Sequence, residues 1–95
     1  MSEFRDWRYA LGRIIVEVMP KPELLDPQGK AVRGAFLRHG VDVFTDVRQG
    51  KRFQLTVEGA VTESHLESAR EVAATSLSNP IIEDVVAVYA AEDEL

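Results

Sequence analysis

Four stretches of the chain carry the β-branched or alternating pattern of strands, and two carry apolar residues at helical spacing. "GRIIVEVM", Gly12 to Met19, places Ile14, Val16 and Val18 on one face and Arg13, Ile15, Glu17 and Met19 on the other, which predicts a strand. Pro20 and Pro22 stop it. Asp26-Pro27 then supplies an N-cap acceptor followed by the residue suited to the first helical position, and the helix is predicted to run to about His39, closed by Gly40 in a left-handed cap. Gln28, Ala31, Val32, Ala35, Phe36 and His39 share one arc of it, the expected buried face. "VDVFTDVRQGKRFQLTVEG" reads as a hairpin turning at Gln49-Gly50. A three-residue loop Arg48-Gln49-Gly50 would set Val43 and Val41 opposite Leu55 and Val57, with Phe53 on the same face. A second helix starts at Thr62 or at Ser64, the latter with Glu67 at capping-box spacing, and its apolar arc is Leu66, Ala69, Val72, Ala73 and Leu77. Asn79-Pro80 ends it, "EDVVAVYAA" is the last strand, and an acidic tail follows.

The order strand, helix, strand, strand, helix, strand gives an α+β ferredoxin-like βαββαβ sandwich: an antiparallel sheet with two helices on one face. "FTDVRQG" and "IEDVVAV", each following a helix, are a weak internal echo of duplication. The opposite face of the sheet would be polar in a monomer. Here the first and last strands set Ile15 and Met19 beside either Val85, Ala87 and Tyr89 or Val86, Val88 and Ala90, an apolar patch that predicts assembly of the chain with itself, as a dimer or tetramer, through the sheet. Expected boundaries are an extension at 1–11, one domain at 12–91 and a tail at 92–95.

Composition narrows the chemistry. Ninety-five residues, 45% apolar and 28% charged, make one ordinary folded domain. No cysteine is present, which removes thiol nucleophiles and thiolate metal sites and fits a reducing, cytoplasmic setting. The apolar runs are too short to span a bilayer and "MSEFRDWRYA" is too polar for a signal peptide, so no membrane is expected as a partner. A net charge of -5 disfavours nucleic acid, and the third strand offers a single aromatic, Phe53, where RNA-recognition sheets stack bases on several. His65 sits beside Ser64, but helix neighbours point about 100° apart, so the two are no nucleophile-base pair. His39 falls in the apolar arc as a core or interface imidazole, and the carboxylates Glu83-Asp84 and Glu92-Asp93-Glu94 lack the nitrogen or sulfur company of a transition-metal set. No glycine-rich phosphate loop occurs, so no catalytic, cofactor or metal residue is assigned. Two features remain. Arg48, Lys51 and Arg52 form a basic cluster on an acidic chain, either an exposed turn or a dock for a phosphate or an acidic surface. Gly29, in the first turn after Asp26-Pro27-Gln28, admits a close approach, either within the chain and its own assembly or by a partner.

"VEVMPKPELLDPQGKAV", "DVRQGKRFQL" and "LSNPIIED", in this order and spacing, resemble the PurS family, the small subunit of phosphoribosylformylglycinamidine synthase. The resemblance runs from about Arg13 to Val88; Val85 stands where family members commonly carry an aromatic, and "MSEFRDWRYA", with Phe4, Trp7 and Tyr9, lies outside it, either covering an apolar patch or disordered. It implies a chain without an active site that oligomerises and bridges a glutaminase subunit to an ATP-dependent synthetase subunit. ATP, Mg and glutamine would then be used by the partners, and ammonia from glutamine would convert formylglycinamide ribonucleotide (FGAR) to formylglycinamidine ribonucleotide (FGAM). Asp26, Gln28, Gly29, Arg48, Lys51 and Arg52 become candidate docking residues, and Ile15, Met19, Val85, Ala87 and Tyr89 the candidate oligomer face. The competing reading is an ACT-like module that binds a small molecule at a subunit interface, since it shares the element order.

Overall fold

The computed structural model describes residues 11–91. β1 (Leu11–Pro20), α1 (Pro27–Arg38), β2 (Lys51–Glu58), α2 (Glu63–Val72) and β3 (Glu83–Ala91) follow one another, with a π-helical turn, Ala73–Leu77, continuing α2. The sheet is antiparallel in the order β2-β1-β3. The α+β class and the succession of the elements that form agree with the ferredoxin-like expectation, with one strand fewer than βαββαβ and only α2 packed on the sheet. β1 is central because both of its faces are apolar: Ile14, Ile15, Val16 and Val18 are fully buried. On one face Val16 lies between Phe53 and Val88, and Val18 meets Val85 after a bulge at Glu17/Val18. α2 covers that face, burying Ala69 and Ala73, with Leu77 against the same cluster.

The start of α2 is set by Thr62, not by Ser64 and Glu67. The Thr62 hydroxyl accepts from the His65 amide at 3.2 Å, and His65 Nδ1 accepts from the Thr62 amide at 3.1 Å, so an imidazole completes the capping box. At its far end the Ser78 hydroxyl donates to the Ala73 carbonyl at 2.8 Å, satisfying one acceptor that the widened last turn releases.

α1 begins and ends where the sequence indicates. Asp26 caps it, Pro27 opens it, and Gly40 at φ +85° closes it, with Gly40 and Val41 donating back to Leu37 and Phe36. Its partner is what differs. The expected buried arc is exposed at Gln28, Ala31 and His39, and only Gly29 of the helix is buried. The core cluster is built on the α2 side.

The predicted hairpin is also absent: residues 41–50 enter no ladder, and the Val43 and Val41 pairing with Leu55 and Val57 does not form. The turn is pulled open from two sides. The Gln49 amide donates to the Asp26 carboxylate at 2.6 Å, and the Val47 carbonyl occupies the space where a Cβ on Gly29 would stand. Gly50 does not take the positive φ of a tight turn; its missing side chain makes room for the Val18 carbonyl and Met19 Sδ. Residues 27–46 therefore form an arm. Phe36 and Phe44 pack at 5.7 Å between centroids and Arg33 Nε donates to the Phe44 carbonyl at 2.7 Å. The radius of gyration, 17.6 Å, exceeds the roughly 12 Å of a compact chain of this length.

Candidate docking surface

The three stretches that stand out in the sequence meet at one end of the sheet. Asp26 is the centre: one carboxylate oxygen accepts from Gly29 at 3.1 Å, the other from Gln49. These backbone N–H groups, Gln49 first, hold its carboxyl below the usual carboxylate range, with the Arg48 charge adding to them. Arg48 is turned inward, donating to the carbonyls of Leu24 at 2.9 Å and Lys21 at 2.7 Å. The Lys21 amide in turn donates to the Ile82 carbonyl at 2.9 Å, and its ammonium pairs with Asp84 at 2.6 Å, which raises the Lys21 pKa. Lys51 pairs with Glu83 at 3.0 Å, whose carboxylate also accepts from the Asn79 amide at 2.8 Å; the Asn79 bond first and Lys51 second lower its pKa. Backbone donors and paired charges thus tie 19–29, 47–51 and 79–84 into one surface.

Between them lies an open groove of about 530 Å³, bounded by Pro20, Leu24, Leu25 and Pro27 on one side, Gln49, Gly50 and Lys51 on another, and Ile82 and Glu83 on the third. Its aliphatic rim is largely in water: Leu25 is 81% exposed, and Ile82, with its neighbour Ile81, is exposed as well. Gln28 also lines the groove. Leu24, Leu25 and Ile82 were not singled out by the sequence reading. The signal that could have found them is an aliphatic pair set beside Asp-Pro and another beside Asn-Pro, each outside any periodic element.

Of the candidate docking residues, Asp26, Gln28 and Lys51 line the groove, while Gly29, buried against the Val47 carbonyl, and Arg48 stand behind it. Arg52 does not join them: it lies across from Glu17, on the sheet face away from α2. The basic cluster of the sequence is therefore three separate groups. On that open face Ile15, Ala87 and Tyr89 are together, with the Tyr89 hydroxyl donating to Glu17 at 3.1 Å, and Met19 lies further along the same side of β1 beside Asp84. Val85 is a correction: the bulge turns it to the α2 side, where it packs on the core, so it is not part of the open face. His39 is exposed at the end of α1, and among the described residues no group of three or more His, Asp or Glu could hold a metal ion.

Comparison with known proteins places this arrangement. The family model described as PurS, phosphoribosylformylglycinamidine (FGAM) synthase, matches residues 13–90. The chain is similar to the phosphoribosylformylglycinamidine synthase subunit PurS of Mycobacterium leprae, 45% identical over 74 residues that cover 78% of this chain and 90% of the relative. In three dimensions it resembles PurS of B. subtilis, with a TM-score of 0.71, 33% identity and coverage of 85% and 99% of the two chains. It also shares the fold of a chain in the structure of PurLQS from Thermotoga maritima, with a TM-score of 0.74, 22% identity and coverage of 85% and 98%. The chain belongs to the PurS family of phosphoribosylformylglycinamidine synthase.

Proposed function

We propose that this chain is the non-catalytic accessory subunit of a phosphoribosylformylglycinamidine synthase, bridging a glutaminase and an ATP-dependent synthetase so that ammonia from glutamine converts FGAR to FGAM. The observation that carries the reading is the convergence of the three family-like stretches on one groove whose charged groups, Asp26, Lys51 and Glu83, are already paired and whose rim is exposed aliphatic surface. Such a surface suits docking rather than bond-making. ATP, Mg and glutamine belong to the partner subunits, and the complex works in the cytoplasm. The working domain spans the described residues 11–91, beginning one residue before the expected boundary because Leu11 already pairs with Glu58 in β1. The ACT-like alternative is not favoured, since the family match covers 13–90.

Assembly with itself completes the reading. Leu37, Val41, Val43 and Phe44 on the arm are exposed, and on the sheet face away from α2 Tyr89 is exposed and Ala87 half-buried, while Ile15 beside them is already buried within the chain. A second copy covers this apolar surface. The test of function is reconstitution with purified glutaminase and synthetase. The chain should restore glutamine-dependent turnover, and Leu25→Glu with Ile82→Glu should depress it about tenfold or more, on the scale of losing a few kcal/mol of interface contact. Turnover driven by added ammonia should fall less. Equal loss of both activities, or no loss, would remove the groove from the bridging role.

A further inference from the structure

The segment Val41 to Asp46, "VDVFTD", has the alternation of a strand and yet enters no ladder, while the outer edge of β2 has no partner strand among the described residues. A strand without an edge and an edge without a strand are complementary. Closing the hairpin within one chain would match them, but the joint at residues 47–50 is held open. Gln49 is bound to Asp26, the Val47 carbonyl is lodged against Gly29, Gly50 lacks a positive φ, and no turn occurs between Asp46 and Gly50. What the edge leaves uncovered is apolar. On its α2 side Ile14, Leu55, Val57, His65, Ala69 and Val72 line a cavity of about 150 Å³, where Leu55 and Val57 are only half-buried and Val72 is exposed.

We propose that two copies exchange this segment, so that residues 41–46 of one chain add as a fourth strand to the β2 edge of the other. Resting on the self-assembly proposed above, the exchange specifies which strand meets which edge. The antiparallel register that sets Val43 opposite Leu55 and Val41 opposite Val57 also sets Asp46 opposite Arg52, an ion pair across the strands on the face away from α2. On the α2 face Val41 and Val43 of the second copy close the mouth of the cavity, which one chain leaves open. In the same register Gln49 of one chain faces Gln49 of the other, so a two-fold axis passes beside the joint and the two exchanges are equivalent. Each sheet thereby regains the fourth strand of the βαββαβ fold, supplied by the other chain.

The chain has no cysteine, so Val43→Cys and Leu55→Cys, made together in the full-length protein, introduce its only thiols. A short bis-maleimide at micromolar protein should link two chains into a covalent dimer on a denaturing gel, and neither single variant should link to itself. Linkage within one chain would mean that the hairpin closes on itself, and it overturns the exchange, as does the absence of any linkage in the folded variant. Should the double variant fail to fold, hydrogen exchange of the parent protein decides the matter. Alternate amides across residues 41–46 should exchange about tenfold or more slowly where light scattering shows a dimer than where dilution gives the monomer. A dimer without that protection overturns the exchange and leaves self-assembly standing on another surface. A parent protein that is monomeric at every concentration removes both.

Discussion

Asp26 ties together two parts of the chain that are 23 residues apart, since one carboxylate caps α1 and also receives Gln49. Its neighbour Gly29 is constrained by the same joint, with the Val47 carbonyl in place of a side chain. Gly29→Ala should therefore destabilise the fold by about 1–3 kcal/mol despite the better helix propensity of alanine, because backbone, not a flexible side chain, would have to move. Urea unfolding of the two proteins measures it, and equal stability would mean the joint is loose in solution. The acid response follows from the direction of the shift. The folded pKa of Asp26 is depressed below its ordinary value of 3.8, so its contribution is complete above the unfolded value and is lost as pH falls through the folded one. Glu83, depressed by Asn79 and Lys51, acts in the same sense. The urea midpoint should drop below the ordinary carboxylate range, and less steeply in Asp26→Asn, which has no charge there to lose.

At the scale of elements, β1, both caps of α1, α2 and β3 were legible because each rests on local chemistry: alternation, Asp-Pro, a closing glycine, Asn-Pro. The hairpin misled because Gly50 has two possible uses. A glycine before a strand reads as a positive-φ turn, whereas here it is a gap for the Val18 carbonyl and Met19, a contact between parts of the chain 31 residues apart that no local pattern carries. The candidate site divides the same way, with Asp26 and Gly29 visible as an odd helix start and Leu24, Leu25 and Ile82 hidden in turns. Arg48 and Arg52, adjacent to one turn in sequence, have different tasks. Arg48→Ala removes the donors to Lys21 and Leu24, so hydrogen exchange should quicken over residues 21–26 and at the Gln49 amide. Arg52→Ala, on the open face, should leave those amides as they are and change stability by no more than about 0.5 kcal/mol. Matching exchange in the two variants would show that Arg48 does not hold the arm.

For the whole molecule, the arm decides what the chain is when alone. Joined to the sheet through residues 21–26 and 47–50, it carries Leu37, Val41, Val43 and Phe44 into water, while the outer edge of β2 has no partner strand among the described residues. Contiguous exposed apolar surface of this kind marks interaction sites, and the radius of gyration of 17.6 Å is that of an extended chain, which motivates the proposal that a second copy covers the arm. Light scattering at micromolar concentration should give at least a dimer. Val43→Asp together with Phe44→Asp places charges where the second copy would remove water, so the assembly should shift to monomer at the same concentration. Because Val43 and Phe44 are 72% and 51% exposed, the sheet core should survive, and far-ultraviolet circular dichroism should change little. Ile15→Glu is the contrasting variant: Ile15 is fully buried within one chain, so its loss should lower stability and assembly together. A double variant that remains a dimer would move the self-association from the arm to the open face of the sheet, around Ala87 and Tyr89. A parent protein that is monomeric throughout would show that the arm waits for the other subunits of the synthase instead.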